Sequence, residues 1–207
     1  MSRYRFILIV FVVMLSACAT HTRLDPAMKS KLVDGIEISS QVKLSERPFY
    51  WGPEITWGGA LGGAIGGGLA ALAVNEPEKI KSYMEAENID LKQLVLDELK
   101  HQISERPDLA GKMREGGKYK MELEIPVYGI AQKHGFSSEY KPTLGIKAKL
   151  VAPEGKIIWE YYYSIANLNS ETPAFKFNDY FKTPDTFKAA YSSAAKVVIK
   201  HILDDLK

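Results

Sequence analysis

Cysteine is almost absent: Cys18 is the only one in 207 residues. An internal disulfide is therefore excluded, and so is a zinc site built on several thiolates. A surplus of charge is also lacking. The 27 basic and 25 acidic residues nearly cancel, which removes the electrostatic case for a nucleic-acid or anionic-surface partner. Histidine is scarce. His21, His101, His134 and His201 are the four in the chain, and none has a second histidine at the spacing of a helical zinc site. His134-Gly135-Phe136-Ser137 places a histidine near a serine, but G-x-S-x-G is missing. No carboxylate pair stands out for acid–base work. Neither a catalytic signature nor a metal or cofactor requirement follows from the sequence.

The one cysteine has an informative address. Arg3 and Arg5 form a short basic start, Phe6–Leu15 (FILIVFVVML) is wholly apolar, and Leu15-Ser16-Ala17-Cys18 follows. Basic, apolar and small residues in that order make an export signal. A cysteine directly after Leu-Ser-Ala resembles the lipobox of bacterial lipoproteins. The resemblance implies that residues 1–17 are a signal peptide. It also implies that Cys18 receives a diacylglycerol on sulfur and an acyl chain such as palmitate on its new amino terminus. That covalent lipid leaves no free thiol for catalysis. Acyl chains contribute about 0.8 kcal/mol per buried methylene, and more than one chain makes the anchoring lasting. In the lipoprotein family an aspartate just after the cysteine favours the inner membrane. Here Ala19 and Thr20 follow, so the resemblance implies the outer membrane, with the protein facing the periplasm. Without Arg3 and Arg5 the mature part carries 25 residues of each sign.

Residues 18–33 read as the acylated cysteine and its tether. Residues 19–33 are polar and without period, and extended they would reach roughly 50 Å. Residues 34–207 read as one periplasmic domain. Residues 35–44 (GIEISSQVKL) alternate, with Ile36, Ile38, Val42 and Leu44 on one side, which predicts a half-buried strand. Residues 118–128 repeat the pattern with Tyr119, Met121, Leu123, Ile125 and Val127 inward, and Pro126 predicts an edge or a bulge. Residues 143–151 and 156–166 form a hairpin around Pro153-Glu154-Gly155. Asp90 and Gln93 resemble a capping box opening a helix that runs through Leu91, Val95, Leu99 and Ile103. A shorter helix is expected near Pro77–Ala86, broken at Asn88. The last helix starts at Thr183-Pro184-Asp185 and turns Phe187, Ala190, Tyr191, Ala194, Val198 and Ile202 inward.

These elements predict an α+β fold: a two-layer sandwich of a mainly antiparallel sheet with helices on one face, plus a glycine-zipper helical segment. The hairpin Leu144–Ala166, its turn Ala152–Lys156 leading into Ile158-Trp159-Glu160, and the closing helix resemble small α/β domains of envelope lipoproteins. The types in question are the TolB N-terminal domain and the curli-secretion lipoprotein.

Residues 57–74 (WGGALGGAIGGGLAALAV) carry no charge and repeat every four residues. Trp57, Leu61, Ile65 and Leu69 form one ridge. Gly58, Gly59, Gly62, Gly63, Gly66 and Gly67 leave the rest of such a helix almost bare. Small residues at that spacing let helix backbones approach closely. In water each glycine costs a helix about 1 kcal/mol relative to alanine, whereas lipid forbids unpaired backbone and would force the helix. As a helix the segment would span about 27 Å, just short of a bilayer's roughly 30 Å hydrocarbon core. Three readings stand: membrane insertion or self-association, tight packing on the domain itself, and a loop. Gly66, Gly68 and Ala71 match G-x-G-x-x-A, but no strand precedes them as a dinucleotide site requires. Gly111–Lys118 fails the phosphate-loop spacing.

Residues 167–182 (NLNSETPAFKFNDYFK) are long for a connection and rich in aromatics. Phe175, Phe177, Tyr180 and Phe181 are candidate anchors for a partner, or a lid folded onto the core. Together these features predict a non-enzymatic, membrane-anchored envelope lipoprotein that binds or scaffolds an envelope component. Self-association or membrane contact would run through 57–74. The alternative is an accessory subunit of an envelope transport or secretion complex, and a periplasmic hydrolase ranks behind both.

Overall fold

A computed structural model describes residues 21–53, 55 and 75–206. In chain order they form helix α1 (Pro26–Lys29), a 3-10 turn (Ser30–Asp34), and strands β1 (Ile36–Leu44) and β2 (Phe49–Trp51). Helices α2 (Glu76–Ala86), α3 (Leu91–Ser104) and α4 (Pro107–Ala110) follow. Strands β3 (Tyr119–Gln132), β4 (Glu139–Val151), β5 (Ile157–Ile165) and β6 (Phe175–Lys176) come next. A second 3-10 turn (Phe177–Phe181) leads into helix α5 (Pro184–Asp205). Cys18 and the 57–74 segment lie outside the described residues. Among the described residues no helix is long and apolar enough to cross a membrane.

The two longest strands make the centre of the sheet. β3 and β4 pair antiparallel, from Lys120 opposite Val151 to Gln132 opposite Tyr140. β1 and β2 lie end to end along the free side of β3, both parallel to it. Parallel pairing needs a long crossover, and the stretch holding α2, α3 and α4 supplies it. β5 and β6 lie end to end along β4, both antiparallel. The fold is the expected α+β sandwich with a mainly antiparallel sheet.

Alternation puts Met121, Leu123, Leu144, Ile146, Leu150 and Trp159 in the core, where all are buried. The other face carries charge. Glu122 stands opposite Lys149, Glu124 opposite Lys147, and Lys149 opposite Glu160. Opposite charges facing each other across strands stabilise the ladder. Glu160 Oε2 lies 3.4 Å from Lys147 Nζ and 3.5 Å from Lys149 Nζ.

Pro126 sits at a bulge. The β3–β4 register shifts between Glu124 and Val127, which is where a residue without an N–H is tolerated. The bulge also corrects the expected inward set. One extra residue flips the alternation, so Tyr128 is buried while Val127 is only half-buried. At the β4–β5 turn Gly155 adopts φ +81°, which suits glycine, and its N–H donates to the Ala152 carbonyl.

Helix ends follow the sequence signals with one correction. The Asp90 carboxylate accepts from the Lys92 and Gln93 backbone N–H groups. The Gln93 side chain does not close a capping box, because its amide donates to Asp97 one turn on. Thr183 caps α5 through the Thr186 N–H, with Pro184 in the first turn. Phe187, Ala190, Tyr191, Ala194, Val198 and Ile202 are fully buried along α5. Asn88, with φ +52°, breaks the chain between α2 and α3.

The expected tether is much shorter than its sequence suggests. Residues from Thr22 onward belong to the domain: Thr22 pairs with Glu160, and Leu24 and Leu32 are buried. Docking on the sheet edge satisfies backbone groups that a free tether would leave to water.

Two substitutions test how α5 and β2 hold β3. The Tyr191 hydroxyl donates to the Gly129 carbonyl at 2.6 Å inside the core. Tyr191→Phe is expected to cost about 1–2 kcal/mol at neutral pH by removing this buried donor. Burial also holds the Tyr191 hydroxyl well above its ordinary value of 10.0. The folded state therefore keeps a proton that the unfolded chain releases. Its contribution is whole below about pH 10 and falls above it by up to about 1.4 kcal/mol per pH unit, so Tyr191→Phe should flatten the alkaline loss in urea titrations. A Cβ on Gly129 would stand 1.8 Å from the Phe49 carbonyl oxygen. Gly129→Ala should cost about 3 kcal/mol or more, with hydrogen-exchange protection lost first at Phe49–Trp51.

Candidate functional site

The aromatic-rich connection folds back over one end of the sheet. Phe175 pairs with Tyr140 through β6. Two residues on, the 3-10 turn sends Tyr180 into the core, where it is fully buried. Its hydroxyl donates to the Tyr140 carbonyl at 3.0 Å, and burial pushes its ionisation upward. Phe177 meets Tyr50 and Tyr140 at ring separations of 5.4 Å each, and Phe181 at 5.1 Å. Phe181 also meets Tyr83 edge to face at 5.2 Å. Such geometries contribute beyond area burial. The Lys79 ammonium sits 5.0 Å from the Phe177 ring and 4.6 Å from the Phe181 ring, and donates to Asn178 Oδ1. All four predicted aromatics are thus brought together. Phe175, Phe177 and Phe181 remain half-buried, while Tyr180 faces the core and works as the peg of the lid.

A second constellation holds the N-terminal segment. Thr22 and Glu160 exchange both backbone hydrogen bonds at 3.0 Å, in antiparallel sense, along the outer side of β5. His21 Nε2 lies 3.1 Å from Asp205 Oδ1, and the buried Trp159 indole N–H donates to the same oxygen at 2.8 Å. The His21 ring meets Tyr161 edge to face at 5.1 Å. One carboxylate at the end of α5 therefore clamps both the strand and the incoming chain. Sequence reasoning missed this clamp. Its partners lie 184 residues apart, and no periodicity links them. The available signal was Trp159, since a buried indole N–H usually takes an acceptor.

The histidines and the serine singled out in the sequence occupy structural positions. His134 is exposed in the β3–β4 turn, where its carbonyl accepts the Ser137 N–H. The Ser137 hydroxyl accepts the Glu139 N–H. His101 lies beside Glu105, and His201 stacks on Tyr163 at 4.0 Å. Among the described residues no three His, Cys, Asp or Glu gather to hold a metal. A cleft of about 660 Å³ opens between the α2–α3 turn and the end of β1, lined by Leu44, Met84, Ile89 and Tyr128 with Lys81 and Glu85. Asp90 at its side is the α3 cap, and the Ser45 hydroxyl donates to the Arg47 carbonyl. Among the described residues that line the cleft, none pairs a nucleophile with a base. The candidate glycines Gly58, Gly59, Gly62, Gly63, Gly66 and Gly67 lie outside the described residues, as does Cys18.

His21→Ala separates the clamp from the core. It should raise hydrogen exchange at Thr22 about tenfold through loss of the Asp205 and Tyr161 contacts. Global stability should stay within about 0.5 kcal/mol, because Trp159 keeps its acceptor.

No family model matches the chain, and no curated protein matches it. Solved structures that resemble it at a distance include the following three. A Xanthomonas campestris protein of family DUF330 is 10% identical over 82% of this chain and 81% of its own, with a TM-score of 0.44. The PelC dodecamer from Paraburkholderia phytofirmans is 10% identical over 91% of this chain and 96% of its own, with a TM-score of 0.34. Lipoprotein GNA1162 from Neisseria meningitidis is 16% identical over 82% of this chain and 98% of its own, with a TM-score of 0.28.

Proposed function

We propose that this chain is a lipid-anchored, non-enzymatic protein of the bacterial cell envelope whose domain binds or scaffolds another envelope component. One observation carries the reading. An apolar leader ends in Leu15-Ser16-Ala17-Cys18, and only Ala19 and Thr20 separate that cysteine from His21, where the chain joins the domain. Cleavage and acylation at Cys18 would leave a complete fold fastened directly to lipid. Ala19 and Thr20 in place of an acidic residue favour the outer membrane, with the domain in the periplasm.

The second reading, an accessory subunit of an envelope transport or secretion complex, is favoured by the flanks of the 57–74 segment. Tyr50 before it and Lys79 after it both touch Phe177. The chain on either side of the segment is thus held at one aromatic ring. Contact with a neighbouring copy or with another subunit suits an uncharged small-residue segment held this way. Phe175, Phe177 and Phe181 offer their half-buried edges as the partner-facing side of the lid.

Cys18→Ser tests the anchor. Labelling with a palmitate analogue should fall to background, and the protein should leave the washed membrane fraction or keep its uncleaved leader. Normal labelling and retention by the variant would sink the lipoprotein reading.

A further inference from the structure

β3 has an open stretch on the side where β1 and β2 pair with it. β1 ends with Leu44 opposite Ile125, and β2 begins with Phe49 opposite Gly129. Pro126, Val127 and Tyr128 fall in the gap between the two, and so does the bulge of β3. The α2–α3 turn borders the same gap. There Asn88 reverses the chain at φ +52°, and the Ile89 N–H donates to the Met84 carbonyl at 2.8 Å. The cleft of about 660 Å³ lies between that turn and the end of β1. Its size falls within the roughly 300–1,000 Å³ of small-molecule sites.

Tyr128 supplies the independent observation. Bulges re-aim side chains beside functional sites. The one at Pro126 turns Tyr128 to the helix side of the sheet, where it lines the cleft and is 3% exposed. Its hydroxyl makes no hydrogen bond with any described residue. Tyr180 and Tyr191, buried in the same core, each donate to a backbone carbonyl instead. Buried polar groups are ordinarily paired, so the Tyr128 hydroxyl is a donor waiting for an acceptor. Burial first, then the Glu85 and Glu78 carboxylates, push its ionisation up, and it keeps its proton at neutral pH.

The lining sets the class of molecule that would meet this donor. Leu44, Met84 and Ile89 make the walls apolar. Lys81 and Lys92 share the rim with Glu46, Glu85 and Asp90, so positive charge has no surplus there. An anionic group beside the Tyr128 hydroxyl would meet the same Glu85 and Glu78 charges that hold the tyrosine neutral. We propose that the cleft binds an uncharged amphiphile, its apolar chain against Leu44, Met84 and Ile89 and its alcohol, ester or ether oxygen accepting from the Tyr128 hydroxyl. The site does not depend on whether Cys18 carries lipid.

The test uses the full-length protein in lysed cells without detergent, which would compete for an apolar cleft. A diazirine-bearing octanol is photolysed with it, and in parallel the matching octanoate, which is ionised at neutral pH. The protein is then recovered and its labelled peptides are read by mass spectrometry. Octanol label should concentrate in 44–46 and 81–92, where it should exceed octanoate label about tenfold. Tyr128→Phe should lower octanol label in those peptides about three- to tenfold. Circular dichroism should stay unchanged, because the lost hydroxyl holds no partner. Glu85→Gln, at an exposed position, should narrow the preference over octanoate about threefold. This variant tests the site even if Tyr128→Phe fails to fold. Octanol label spread evenly over exposed peptides overturns the site. Equal labelling by octanoate overturns the uncharged class. A folded Tyr128→Phe that labels like the unchanged protein overturns the hydrogen bond on which the proposal stands.

Discussion

Thr22 and Glu160 close both backbone hydrogen bonds between the incoming chain and β5, and the placement of the domain follows from that pair. β5 borders the sheet, and an open border is a liability that proteins cover. Here the cover is the protein's own N-terminal segment. Glu160 is coupled in two directions at once. Its backbone holds Thr22, while its buried carboxylate lies between Lys147 and Lys149 on the charged face. His21, Asp205 and Trp159 then lock the segment to the end of α5. A 15-residue leash would leave the domain free to wander about 50 Å from its anchor. The observed strap leaves a few residues.

The aromatic lid does comparable work at the other side of the core. Phe177 touches Tyr50 from β2, Tyr140 from β4 and the Lys79 ammonium from α2. It thus ties the chain before residue 56 to the chain after residue 74. Tyr180 supplies the fixed point beneath, with its hydroxyl on a β4 carbonyl and its ring against Phe187 of α5. Segments distant in sequence are thereby held to one end of one sheet.

Much of this architecture was legible from residue pattern. The alternation in 35–44, 118–128 and 143–166 and the caps at Asp90 and Thr183 act locally, so short windows report them. Pro126 signalled its bulge, but not the consequence that Tyr128 replaces Val127 in the core. That depends on which residue of β4 stands opposite, which is a pairing property. The tether was misread for the same reason. Thr22 carries no strand signal of its own; it becomes part of the sheet only because β5 presents an open border beside Asp205. The aromatics of 167–182 were legible as a group. The division between Tyr180 inward and Phe177 on the flank is set by the 3-10 turn, whose register composition does not announce.

The central claim is the proposal that an anchor at Cys18 would hold the domain close against a membrane. Neutron reflectometry on the acylated protein at a supported bilayer reads this directly, as the distance between the headgroup layer and the onset of protein density. A strap that ends at His21 predicts protein density within about 10 Å of the headgroups. A water layer of several tens of ångströms between bilayer and domain would contradict it.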